Sequence, residues 1–190
     1  MMRSICLFSM VWLSMLTVLS GCEIDMEDGF YATTVIAQNQ YGDGTRATVQ
    51  YDAELQVQLG QDAGGIAPDV LIFTICDDLL ASAGTQPCLY PIETAARNNH
   101  FGSEAWSYAS IRFQTPNGDC LATSYDTLVI SGDLIHDSKL EFTLSMTSEV
   151  YFETYSYSEE DNINTDPADC LKHYPYPVRT QISGTAERSY

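Results

Sequence analysis

The sequence predicts an all-β domain of seven or eight mostly antiparallel strands, closed as a barrel or stacked as a sandwich, with a short irregular or helical insertion around 77–106. Three observations predict it. Two stretches alternate apolar and polar side chains with period two, the signature of a strand with one buried and one wet face. Glycine, asparagine and aspartate clusters punctuate the chain between such stretches. Both alternating stretches outrun the usual five or six residues of a strand, which favours a coiled sheet or barrel over a small sandwich.

The elements follow in order. Phe30–Gln38 is the first strand, and Tyr41-Gly42-Asp43-Gly44 turns the chain into the second. In Arg46–Leu59 the odd positions are Ala47, Val49, Tyr51, Ala53, Leu55, Val57 and Leu59, while the even ones are all polar. Val70–Cys76 is the third strand. Asp77–Trp106 breaks the pattern and carries two short helical candidates, Asp78–Ala83 and Pro91–Asn98, with Pro91 suited to a first helical position. Ser107–Thr115 and Leu121–Ile130 flank the turn Pro116-Asn117-Gly118-Asp119. Gly132-Asp133 and His136-Asp137-Ser138 lie between the sixth strand and the second long one. That strand, Leu140–Phe152, points Leu140, Phe142, Leu144, Met146, Val150 and Phe152 inward, with Ser148 interrupting the row as a bulge or bend. Val178–Glu187 closes the series. The pattern resembles the calycin-like barrels, up-and-down barrels that hold a ligand in the mouth. The G-x-W signature of the lipocalins has no counterpart, since Glu104-Ala105 precede Trp106.

Ahead of the domain, residues 1–21 combine one positive charge, Arg3, with the apolar run Leu7–Leu19, too short for the ~20 residues a bilayer span needs. Leu19-Ser20-Gly21-Cys22 resembles the lipobox of bacterial lipoproteins. The resemblance implies cleavage before Cys22, a lipid thioether on its sulfur and acylation of the new amino terminus, which together anchor stably where one chain would not. Glu23 stands where an inner-membrane retention signal would carry aspartate, so the expected address is the cell envelope, at the outer rather than the inner membrane. The organisation is then 1–21 leader, 22–29 lipidated acidic tether, and 30–190 a single β domain.

Charge excludes one class of partner. After the leader the chain holds 26 acidic and seven basic residues, a formal −19. Nucleic-acid binding needs basic surface to neutralise phosphates, and nothing supplies it. Such acidity suits either a salty habitat or attraction to a basic protein.

Cys76, Cys88, Cys120 and Cys170 remain once Cys6 leaves and Cys22 takes lipid. An even number in an exported domain predicts disulfides, with three connectivities open. Cys76 and Cys88 bracket a local loop that closes easily; by elimination Cys120 then joins Cys170. Metal binding fails on spacing, because there is no C-x₂-C pair with a histidine near it. The acidic loop Ser158–Asp169 alternates oxygen ligands loosely like a calcium loop, yet numbered from Glu160 it has Thr165 where glycine belongs and Leu171 where the bidentate glutamate belongs. It reads as a solvated loop.

No catalytic residue and no cofactor is predicted. His100, His136 and His173 are scattered, and no G-x-S-x-G or glycine-rich phosphate loop exists. The binding candidates are aromatic: Tyr151, Tyr155 and Tyr157 on the outward face of the long strand, and Trp106. Two functions fit. One is a barrel binding a small or lipidic ligand in a roomy interior lined by Val49, Tyr51, Leu55, Phe142 and Leu144. The other is an interaction module, an envelope assembly factor or an inhibitor of a basic cell-wall hydrolase, with a packed interior and an outward tyrosine patch.

Overall fold

Eight strands joined in chain order close on themselves, each antiparallel to the next and the last paired to the first. They are β1 Gly29–Gln40, β2 Arg46–Asp62, β3 Gly65–Thr74, β4 Ile92–Arg97, β5 His100–Thr115, β6 Gly118–His136, β7 Lys139–Phe152 and β8 Arg179–Arg188, with one short helix, α1 Pro167–Lys172, before β8. The computed structural model describes residues 26–62, 65–74, 84, 92–97, 99–154 and 162–189. The lipobox, Cys76, Cys88, the 78–83 helix candidate, Tyr155 and Tyr157 lie outside the described residues.

Side-chain parity follows the sequence pattern. Tyr31, Val35, Leu55, Val57, Ile130, Leu144 and Ile182 point inward and are fully or almost fully buried in one apolar cluster. Thr48, Gln50, Asp52, Glu54 and Gln58 point outward from β2. An apolar interior with a polar exterior is the reverse of a lipid-embedded barrel, and among the described residues no helix is long and apolar enough to cross a membrane.

Several expectations change. The described part of the 91–98 helix candidate, Ile92–Arg97, is a strand: Ile92, Thr94 and Ala96 alternate inward as β4, which pairs with β3 and turns at Asn99 (φ 65°) into β5. Local sequence favours neither state strongly there, and the sheet edges of β3 and β5 decide it. Gly132-Asp133 is not a turn, because β6 runs through both to His136. Ser148 marks no bulge. It pairs in register with Asp126. The register shifts fall instead at Leu59/Gly60 and Leu134/His136. At Gly60 a Cβ would lie 2.6 Å from Val70 Cγ1, so glycine permits the close strand approach there.

A further change concerns the interior. Leu55, Phe142 and Leu144, expected to line a chamber, are packed core at 3% exposure or less, while Val49 reaches the surface at 37%. One level forms a waist where Phe101, Gly132, Phe142, Gly184, Val35 and Tyr51 follow one another across six strands. The two glycines let aromatic rings come close there: a Cβ on Gly132 would lie 2.5 Å from Phe101 Cζ, and one on Gly184 would lie 3.4 Å from Phe142 Cε1.

Both barrel ends are tied. Met26 is buried in the core, Glu27 pairs with Arg188, and Asp28 accepts a bond from the Leu59 N–H at 2.5 Å. The last part of the acidic tether is therefore a strap across the barrel end rather than free linker. At the other end Cys120 and Cys170 form a disulfide with Cα atoms 5.8 Å apart, beside the aromatic group Phe113, Phe152, Tyr174 and Tyr176. Helix α1 carries Cys170 and starts at Asp166, which accepts a bond from the Ala168 N–H at 3.0 Å. Asn162–Asp169, expected as solvated loop, is thus built into the fold. Asp169 accepts from Asn117 and Asn164, and the Asn117 bond leads in holding its carboxyl below the ordinary value.

Burial pushes the phenols of Tyr51 and Tyr174 up to about 12. Their unfolded value is about 10, so the folded state holds these protons where the unfolded state loses them. Their stabilising effect is complete below pH ~10 and is lost as pH rises toward 12. Thermal melts from pH 8 to 12 should show Tyr174→Phe declining less steeply than the parent chain; parallel declines would disprove the assignment.

Candidate interaction surface

β5, β6 and β7 lie side by side over their longest pairings, so their outward residues form one continuous face. β5 contributes Trp106 and Tyr108, β6 contributes Tyr125 and Val129, and β7 contributes Tyr151. All five are exposed, Trp106 at 69%. Tyr108 stands directly opposite Tyr125, with ring centroids 6.5 Å apart, and Tyr125 meets Tyr151 edge-on at 5.7 Å. With strands about 4.8 Å apart and alternate residues about 6.8 Å apart, the rings cover a patch on the order of 10 by 15 Å.

Carboxylates rim this patch. Glu104 lies on the same face as Trp106 and opposite Val129. The Tyr151 hydroxyl donates to Glu149 at 3.1 Å, and that bond to an anionic acceptor raises the phenol above its ordinary value. Further along the same strands the face becomes concave, an open groove of about 1450 Å³ that reaches across β7, β8, β1 and β2. Small side chains such as Thr34, Ser131, Thr143 and Thr185 form its floor, and Asp52, Glu54, Asp133, Glu141 and Glu187 stand in it. Its two bases are engaged: Lys139 pairs with Glu187, and His100 with Asp133. The result is an aromatic platform continuous with an acidic trough.

Inside the barrel, beneath the platform, the core turns polar. Ser107, Asp126 and Ser148 are neighbours in one inward row, and Asp126 Oδ2 accepts weakly from Ser107 at 3.4 Å and Ser124 at 3.5 Å. Tyr174 reaches Ser124 from the helical end. Sequence reasoning missed this belt because Asp126 sits in an alternating strand like any outward polar residue; its even position, shared with Leu128 and Ile130, was the available signal.

Of the sequence-predicted site residues, Trp106 and Tyr151 come onto one face, and Tyr108 and Tyr125 join them unforeseen. Parity with Trp106 could have flagged Tyr108. Nothing local could have flagged Tyr125, whose place depends on the β5–β6 register. His100, His136 and His173 stay apart, and among the described residues no group of side chains could hold a metal ion.

These features define a class: a closed, water-facing up-and-down barrel with an aromatic and acidic exterior. Comparison with protein-family models, with curated proteins and with solved structures finds no match to the chain.

Proposed function

We propose that the chain is a lipid-anchored, non-catalytic protein of the bacterial cell envelope, held at the outer membrane, that docks a basic protein on the outer face of β5–β7. One observation carries the reading: four exposed aromatic rings from three strands converge beside a trough of carboxylates. Rigid aromatic side chains are the usual anchors of protein interfaces because they bring large area at little entropic cost. The excess acid steers a cationic partner toward them.

A salt-controlled pull-down tests this, using the full chain as bait and a basic cell-wall muramidase as the first probe, followed by envelope extract. Trp106→Ala should weaken binding by roughly 10- to 30-fold, about 2 kcal/mol. Its melting temperature should hold, since the ring contributes little to the core. Capture that survives loss of both Trp106 and Tyr125, or that ignores salt, sinks the proposal. A small ligand inside the barrel is the competing reading, and the buried belt around Asp126 is what favours it. Native mass spectrometry of the bait separates the two, because a stoichiometric small molecule would redirect attention to that belt.

Anchoring is checked separately. Cys22→Ser should move the protein from the membrane pellet to the soluble fraction; unchanged sedimentation would refute the lipid attachment.

A further inference from the structure

The chain's bases are few, and the structure engages several of them. Arg112 pairs with Asp119, Lys139 with Glu187 and Arg188 with Glu27. Arg46 and Arg179 pair with no carboxylate among the described residues, although acids outnumber bases more than threefold over the chain. They are not scattered. Gln40 on β1 is the direct cross-strand neighbour of Arg46 on β2 and of Arg179 on β8, so the three form one outward row. The arginine backbones stand two strand spacings apart, roughly 10 Å, a gap that two guanidinium groups can close onto one anion.

The row lies in a groove of about 340 Å³ across β7, β8, β1 and β2, and not one acidic residue lines it. Gln38, Thr48, Thr147 and Gln181 supply neutral hydrogen-bonding groups around the arginines. The contrast with the acidic trough is along the same strands: five carboxylates stand in the trough toward the strapped end, and none lines the groove that holds Arg46 and Arg179 toward the opposite end. On an acid-rich surface, two adjacent arginines that form no ion pair among the described residues keep their forks free for an external acceptor. The guanidinium fork matches the planar carboxylate and the phosphate oxygens bidentately.

We infer that the Arg46–Gln40–Arg179 groove is an oxyanion site that takes a phosphate or carboxylate group. The inference is independent of the aromatic platform on β5–β7, because the two arginines stand on β2 and β8. Because the groove is at the far end of β1 from the Met26–Asp28 strap, roughly 35–40 Å along a strand of 12 residues, it faces away from the chain's own anchor. A free oxyanion or the headgroup of another lipid could supply the same chemistry.

The test is an NMR titration of the arginine Nε–Hε signals of the full chain in neutral detergent, with inorganic phosphate at constant ionic strength. Arg46 and Arg179 should shift together along one saturating curve while Arg97, exposed on β4, stays still. Arg46→Gln should abolish the Arg179 shift or raise half-saturation at least tenfold, and Arg46→Lys should recover part of it. These side chains are exposed, so the variants should keep the parent fold, which the remaining signals report. Shifts no larger than that of Arg97, or an Arg179 response unchanged by Arg46→Gln, would overturn the site. Dihexanoyl-phosphatidylglycerol used below its micellar concentration distinguishes the source: tighter binding than phosphate supports a lipid headgroup, and equal or weaker binding supports a free oxyanion.

Discussion

Gly132→Ala is expected to lower stability by at least about 3 kcal/mol, more than any other alanine placed at a glycine facing the core. An added Cβ there would overlap the Glu141 carbonyl oxygen and lie 2.5 Å from Phe101 Cζ. Overpacking usually costs about 1–3 kcal/mol because side chains can shift. A carbonyl in the β6–β7 ladder cannot shift without breaking the pairing of Gly132 with Phe142. Gly102→Ala is the control, since its Cβ would meet only the Ile130 carbonyl at 3.6 Å and Ser131 Cβ at 4.0 Å. Urea midpoints of the two variants decide the matter: equal midpoints would show that Gly132 is not needed for the close approach to the Glu141 carbonyl and the Phe101 ring.

The second large effect is the loss of the Cys120–Cys170 bridge. The cysteines are separated by 50 residues, and a closed loop of that size is expected to restrict the unfolded chain by about 4 kcal/mol. A domain of this kind has only about 5–15 kcal/mol in total. The bridge also fastens α1 to the start of β6, where Asp119 exchanges backbone bonds with Asn162 and Asn164 at 2.8 Å each. Replacing both cysteines with alanine should lower the urea midpoint by roughly 2 M, taking a slope of about 2 kcal/mol per molar. A midpoint within about 0.3 M of the parent would mean that the helix and the Asp169 hydrogen bonds hold this end unaided.

How much of this was legible depended on the range of the interaction concerned. The alternation in Arg46–Leu59 gave β2 and its inward face directly, and that in Leu140–Phe152 gave β7, because side-chain direction in a strand repeats every two residues whatever its neighbours are. The Cys120–Cys170 partnership followed from spacing once the other pair was set aside. β4 was not legible: Ile92-Glu93-Thr94-Ala95-Ala96-Arg97 is short and alanine-rich, and only its hydrogen-bonding to Val70–Phe73 and to Phe101 and Gly102 makes it a strand. Gly132 looked like a turn residue because glycine between polar neighbours usually is one; here it serves a close approach inside a 19-residue strand.

The sites divide in the same way. Tyr151 stood out as an outward aromatic residue and Trp106 as an aromatic candidate at the end of the irregular stretch, yet whether they face one partner together is a matter of β5–β6–β7 register. The arginine groove is the extreme case, joining residues from the second and the last strand through one glutamine on the first. By itself the sequence determined the fold class, which side of the two alternating strands is wet, the acidic balance and the lipobox resemblance of Leu19–Cys22, all properties of composition or of local period. The tertiary structure alone decided barrel over sandwich, the waist at Phe142 and the neighbours that make the aromatic and arginine surfaces. Hydrogen-bond register between strands distant in sequence is set by how the whole core packs, and no local stretch of chain encodes it.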